Sequence, residues 1–363
     1  MRLATRILSS SILIVLLNLL AACGSTPTVA PSPTAAPAAM TAPAEPTASA
    51  ATSAPTAKRT QYPISITDCG GRTTTYDKAP ERVVTLDPSI TEALLLLGLK
   101  SKIVGFTEFQ TPDQRWAPTK AEMDALKVIN DGGNYPSKEA IVAVSPDLVM
   151  SIYPSALLSN KELPDRDGWA KLGVKSFLTQ GECHLSKTPV TDFSLLYADL
   201  RSIGVLFDVQ ERAEAEIAKL QARVAGLQQK VKDAGIKPLT VWSYSGEDEP
   251  YPAGGVGTPN AVITLAGAKN AFGDIPSDYD SVSWEEIVKR NPDVIWVMTS
   301  AGPGYIDEMQ GIQKKLDSDP RLVNITAVKK KAYIAVSYNE GGVETPRNID
   351  ALEQMINGLV KVQ

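Results

Sequence analysis

Glu139 and Glu285 are the residues of this chain whose types and spacing most plainly ask for a chemical role. Each stands two residues after a Ser and seven before a Pro-Asp pair, in Ser137-Lys-Glu-Ala-Ile-Val-Ala-Val-Ser-Pro-Asp147 and Ser283-Trp-Glu-Glu-Ile-Val-Lys-Arg-Asn-Pro-Asp293. In each copy a Ser can cap a short helix, and the acid falls in its first turn, where the helix dipole favours negative charge. Pro disfavours helical geometry in the residue before it, so each helix should stop there and give way to a buried strand, Asp147–Ser151 or Asp293–Thr299. Two copies of one helix–strand unit imply two similar α/β lobes, with one exposed carboxylate on each.

Other reactive residues are few. The chain of 363 residues holds one His and three Cys. Cys69 and Cys183 form an even pair suited to an oxidising compartment. A bridge would close a loop of over 100 residues and add about 4–5 kcal/mol in the chain-entropy model; two buried free thiols are the alternative. His184 with two Cys makes a poor zinc set, and bare metal cargo would want several converging ligands. No Gly-x-Ser-x-Gly elbow is present. The stretch Ala253-Gly-Gly-Val-Gly-Thr258 lacks dinucleotide spacing and a phosphate-loop Lys. An enzyme is therefore not expected, and neither is a cofactor or a resident metal. A formal charge of −5 without a basic tract argues against nucleic acid as a partner.

The N-terminus locates the work. Arg2 and Arg6 precede an interrupted apolar run from Ile7 to Leu20, a pattern of export signals, and Leu20-Ala-Ala-Cys23 resembles the lipobox of bacterial lipoproteins. That resemblance makes residues 1–22 a signal peptide and Cys23 the acylated anchor, outside the cytoplasm on the membrane surface; more than one acyl chain gives stable anchoring. Residues 23–60, nearly all Ala, Pro, Ser and Thr after the Cys, read as a disordered tether with a reach of about 30–35 Å.

Behind the tether the elements alternate. A hairpin is expected around Cys69-Gly70-Gly71, then a buried strand at Arg82–Leu86 and a helix from Asp87-Pro88-Ser89 to Leu97. A strand follows at Lys102–Phe106, then an irregular stretch to Asn134. Strands separated by helices argue for mainly parallel sheets, with an N-terminal lobe over 61–190 and a C-terminal lobe over 236–363. Between them, 191–235 is helical. Ala213, Ile217, Leu220, Val224, Leu227 and Val231 form one apolar stripe over about 208–234, capped by Asp208 and ended by Gly235. It reads as a rod of about 40 Å joining the lobes. It is too short for a convincing coiled-coil dimer, so a monomer is expected.

The run Ala79-Pro-Glu-Arg-Val-Val-Thr-Leu-Asp-Pro-Ser-Ile-Thr-Glu-Ala-Leu-Leu-Leu-Leu-Gly98 resembles the opening of the helical-backbone substrate-binding proteins of ABC importers, the class of iron–siderophore, haem and cobalamin binders. Both Glu–Pro-Asp units, Leu265-Ala-Gly-Ala-Lys-Asn-Ala-Phe-Gly-Asp274 and the stretch from Asp319-Pro320 to Tyr333 carry the likeness on from residue 62 to the C-terminus. The resemblance implies ligand in a cleft between two lobes on one long helix. It implies a permease, with its ATPase, that Glu139 and Glu285 dock through basic residues.

Ligands of open α/β lobes meet the loops beyond the strands' carboxyl ends. Those loops and their neighbours offer Trp116, Tyr135, Tyr153, Trp242, Tyr244, Tyr251, Tyr338 and Arg347 as contacts for a bulky chelate. A ferric siderophore, which needs no protein ligand to its metal, is the first expectation; a corrinoid or haem is the alternative. A ligand-sensing lipoprotein uncoupled from import would share the same architecture.

Overall fold

The computed structural model describes residues 59–130, 135–159, 161, 163–183, 187–246, 248–299 and 305–363. The signal peptide, Cys23, the tether up to residue 58 and His184 lie outside the described residues.

Two four-stranded parallel sheets form the lobes. The N-terminal sheet has the order β4-β3-β5-β6, from β3 (Val83–Thr85), β4 (Ile103–Phe106), β5 (Leu148–Ser151) and β6 (Lys175–Leu178). The C-terminal sheet runs β10-β9-β7-β8, from β7 (Thr240–Tyr244), β8 (Lys269–Asn270), β9 (Val294–Thr299) and β10 (Tyr333–Ser337). Every residue of β5 and β9 is buried, as expected of central parallel strands covered on both faces. An antiparallel hairpin, β1 (Ile64–Thr67) and β2 (Thr73–Tyr76), precedes them and turns at Gly71, whose φ of 72° favours a residue without Cβ.

The repeated unit recurs in three dimensions. Ser137 Oγ accepts from Ala140 N at the start of helix Lys138–Ala143, and Ser283 Oγ accepts from Glu286 N at the start of helix Trp284–Arg290, each at 3.2 Å. The exit differs from the expectation. The residue before each Pro leaves in the left-handed region, Ser145 with φ 48° and Asn291 with φ 44°, not in the extended region that Pro usually imposes. The following Asp then ties down the neighbouring strand. Asp147 accepts from the Glu81 and Arg82 amides just before β3, at 2.8 and 3.0 Å. Asp293 accepts from the amide of Thr240, the first residue of β7, at 2.9 Å.

Helix Gln210–Asp233 spans the two lobes. Arg212 Nη1 donates to Leu97 O of the N-terminal lobe at 2.8 Å, while Arg223 pairs with Asp350 and Glu353 of the C-terminal lobe at 2.5 and 2.7 Å. Its stripe packs as read: Ala213, Ile217, Leu220 and Leu227 are buried, with Val224 and Val231 partly so. Asp208 does not cap it. That residue turns the chain out of the preceding helix, Ser194–Leu206, with φ 57°, and its carboxylate accepts from Thr60 N at 2.6 Å and from Arg59. Val209 takes the cap position without a side-chain bond. Helices Ala117–Met123 and Thr326–Lys330, and β8, are additions to the sequence reading.

Cys69 and Cys183 are bridged, with Cα atoms 6.0 Å apart across a separation of 114 residues. The bridge ties the hairpin to the loop after β6. Beside it Asp68 accepts from Leu178 N and pairs with buried Arg166 at 2.7 Å. Among the described residues, no helix is long and apolar enough to cross a membrane.

Candidate functional site

Both repeated glutamates stand where the motif put them. Glu139 is 75% exposed, with Lys138 at 3.2 Å. The Glu285 carboxyl is held below its ordinary range, first by its own backbone amide and then by the Ser283 hydroxyl. Glu286, its neighbour, is instead occupied by Lys289 and Arg290 at 3.2 and 2.8 Å. One outward carboxylate therefore marks the first turn of the corresponding helix in each lobe.

The carboxyl ends of β3, β5 and β6 deliver Asp87, Tyr153 and Glu182 to the junction between the lobes. From the C-terminal lobe come Tyr338, immediately after β10, and Tyr279 with Asp278. Tyr153 and Tyr338 lie close to each other across the junction. Tyr279 Oη donates to Gly342 O at 3.2 Å, and its ring stacks on Tyr251 with centroids 5.7 Å apart and an interplanar angle of 13°. Phe109 meets Tyr135 edge-on at 5.8 Å. Burial, then the neighbouring Asp87, pushes the Tyr153 hydroxyl far above its ordinary range; burial, then Glu182, does the same for Tyr338. The Tyr279 hydroxyl is raised by burial and by Tyr338 and Asp278. All three stay neutral hydrogen-bonding groups. Asp87 is pushed up to about 7 by burial, against the amide of Ser89 that it caps at 2.6 Å. Phe109, Tyr251 and Tyr338 remain exposed enough to meet a ligand.

Four sequence candidates, Tyr135, Tyr153, Tyr251 and Tyr338, thus belong to one aromatic surface. Trp242 and Tyr244 do not. They alternate onto one face of β7, fully buried against Trp284 with centroids 6.3 and 6.5 Å away, and form the core of the C-terminal lobe.

Arg347 is likewise not a ligand-facing cation. It is 2% exposed and makes a two-pronged pair with Glu92, itself 0% exposed, through Nε–Oε2 at 2.8 Å and Nη2–Oε1. Glu92 sits in the helix Pro88–Leu96 of the opposite lobe, so the pair staples the lobes together. Trp116 is also structural: its Nε1 donates to Asp350 Oδ2 of the other lobe at 2.7 Å. It lines an interlobe cavity of about 340 Å³ with Arg115, Glu340, Arg347 and Asp350. A larger groove of about 710 Å³ runs along β10, lined only by residues of the C-terminal lobe.

The sequence reading missed Glu92, Asp199, Tyr279 and Glu344. Glu92 carried a signal, since one acid in Ile-Thr-Glu-Ala-Leu-Leu-Leu-Leu is a charge on an otherwise buried helix. Tyr279 lies in a segment without regular structure and carried none.

The model of the family described as periplasmic binding protein matches residues 83–336. A cobalamin-binding protein of Halobacterium salinarum is 27% identical over 302 residues, 82% of this chain and 74% of that protein. An uncharacterized ABC transporter substrate-binding lipoprotein of Bacillus subtilis is 23% identical over 300 residues, 82% and 86% of the two chains. A solved periplasmic binding protein from Veillonella parvula superposes with a TM-score of 0.71 at 28% identity, over 81% of this chain and 96% of that one. Two parallel α/β lobes on one long helix, matched in sequence over both, make this chain a member of the periplasmic binding protein family, a solute binder and not an enzyme.

Proposed function

We propose that the chain is the lipid-anchored, extracytoplasmic substrate-binding protein of an ABC importer, and that it captures a corrinoid between its lobes. The observation that carries the ligand class is the charge of the junction. Its tyrosines are surrounded by Asp87, Glu182 and Asp278. The described arginines nearby are already engaged, Arg347 by Glu92 and Arg115 by Glu108 and Asp124. An acidic aromatic surface without a spare guanidinium disfavours a ferric catecholate or haem propionates, whose negative charge would lie against buried carboxylates. A corrinoid is amide-fringed and carries little net charge, and tyrosine hydroxyls and rings can both bind and cover it. The name of the Halobacterium relative supports the same class.

A neutral or cationic ferric hydroxamate is the second reading, since the same electrostatics admit it. It keeps the siderophore expectation in its one form compatible with these charges.

Delivery is assigned to Glu139 and Glu285, which would meet basic residues of the permease while its ATPase drives uptake; Cys23 would hold the chain at the membrane. The Bacillus relative, an ABC transporter lipoprotein by name, supports this arrangement.

The test is a titration with cyanocobalamin, a ferric trihydroxamate, a ferric tris-catecholate and haem. Saturable one-to-one binding of cyanocobalamin is expected, and preference for the catecholate would overturn the assignment. Reversing both glutamates, Glu139→Lys and Glu285→Lys, should abolish uptake and leave binding unchanged. Uptake that survives the reversal removes the docking role.

A further inference from the structure

Behind the tyrosines, three acids are buried together where the lobes touch. Asp199, on helix Ser194–Leu206, is 4% exposed; Glu182, after β6, is 7% exposed; Glu344, from the C-terminal lobe, is 8% exposed. Asp199 accepts from Gln180 N at 2.8 Å and from Gly181 N at 3.3 Å. Glu182 Oε1 accepts from the backbone amide of Glu344 at 2.7 Å. The Glu344 side chain lies against Gly181, where an added Cβ would meet its carboxyl carbon at 2.2 Å, so its carboxyl and that of Asp199, which accepts from the same glycine's amide, converge on one residue. Two carboxyls can share a hydrogen bond only while one carries a proton. Asp199 already accepts backbone amides, which favour its charged form, so the proton belongs on Glu344.

We propose that Glu344, protonated, donates to ionised Asp199 and thereby clasps the C-terminal lobe to the N-terminal lobe, so that loss of this one proton loosens the junction.

The surroundings leave little to replace it. Among the described residues, the charges acting on Glu344 are those of Asp199 and Glu182, both acids. Asp87 faces Glu182 from the end of β3 and adds to the same sign. The buried cation closest in sequence, Arg347, three residues along, is committed to Glu92, which also receives the hydroxyl of Thr345. Deprotonation would therefore put two like charges across a buried contact, and in a low-dielectric setting that costs far more than at a surface. A cavity of about 20 Å³ borders Asp199, Glu344 and Thr179, room for about one water.

The sign of the linkage follows from the directions. Burial pushes Asp199 up to about 6, and burial with Asp199 pushes Glu344 well above its ordinary range. A carboxyl raised on folding binds its proton more tightly in the folded chain, so the junction is firmest in mild acid. It weakens as pH rises from the ordinary carboxylate range through the pair's own titration. This is the reverse of a salt-bridged acid. The inference rests on the lobe contact alone and holds whichever ligand the cleft takes.

Amide hydrogen exchange of the full chain tests it, read at Val343–Thr345 and corrected for the intrinsic pH dependence of exchange. Between pH 5.5 and 8.5 the protection of these amides should fall about tenfold or more in the natural protein. In Glu344→Gln, whose amide donates to Asp199 at any pH, it should stay flat. Asp199→Asn, whose amide donates to ionised Glu344 while its carbonyl keeps the backbone bonds, should be flat as well. A natural protein without pH dependence, or parallel profiles in all three chains, overturns the proposal. So does loss of folding in both variants, because each leaves a single carboxylate in the pair and keeps its hydrogen bonds.

Discussion

Replacing Arg347 with Met should cost the protein more than replacing Arg347 and Glu92 together. Glu92 is completely buried and Arg347 nearly so. Without the guanidinium, the carboxylate keeps the Thr345 hydroxyl at 3.5 Å, a neutral donor. Without the carboxylate, Arg347 keeps Gln114 O at 3.1 Å and Gln110 Oε1 at 3.3 Å. Breaking a buried pair from either side leaves an uncompensated charge and costs about 3–5 kcal/mol. For a body of this size, at about 2 °C per kcal/mol, either Glu92→Met or Arg347→Met should lower Tm by about 6–10 °C. Removing both leaves no charge to bury, and the thioether chains refill much of the space, so the double variant should fall by less than either single one. Urea unfolding of the four chains closes the cycle. Additive losses in the double variant, or single losses below about 1 kcal/mol, would refute the view that these groups form one desolvated interlobe pair.

Three further outcomes follow from the same geometry. Reducing the Cys69–Cys183 bridge, which spans 114 residues, should cost about 4–5 kcal/mol in the chain-entropy model, read as a drop in Tm with reductant that a Cys69→Ala/Cys183→Ala chain no longer shows. Asp87, raised to about 7 by burial, contributes least at high pH, because stability falls as pH climbs from the ordinary aspartate range through that value. Asp87→Asn keeps the cap and should raise Tm at pH 8 but not at pH 4.5, and equal shifts at both would exclude the titration. Tyr279→Phe removes the bond to Gly342 O, worth about 1 kcal/mol; cyanocobalamin affinity by calorimetry should fall about fivefold, whereas the core variant Trp242→Phe should leave it unchanged.

Much of the architecture was written in local pattern. Ser at an N-cap, Pro-Asp after a short helix and a run of β-branched residues are decided within a few residues, and the same phrase appeared twice. The parallel α/β organisation and the long apolar-striped helix were accordingly legible. The cysteine pair was legible too, from count and compartment. Local reading failed at Asp208, where a favourable capping residue was used to reverse the chain. The turn between two packed helices needed its left-handed φ and the segment at Thr60 that precedes β1 needed its carboxylate.

The candidate site divides along the same line. Sequence alone settled that two similar α/β lobes exist, that each carries one outward glutamate, and that aromatic residues cluster after the strands, because caps, periodicity and strand-ending loops are short-range features. Only the tertiary structure decided which of those aromatics face the junction. Tyr153 and Trp242 read alike in sequence, but β7 turns Trp242 toward Trp284 and the lobe core. Only tertiary structure paired Arg347 with Glu92, 255 residues away, and Glu344 with Asp199. A buried charge is tolerated only where its partner arrives, and that meeting is set by how the two lobes pack.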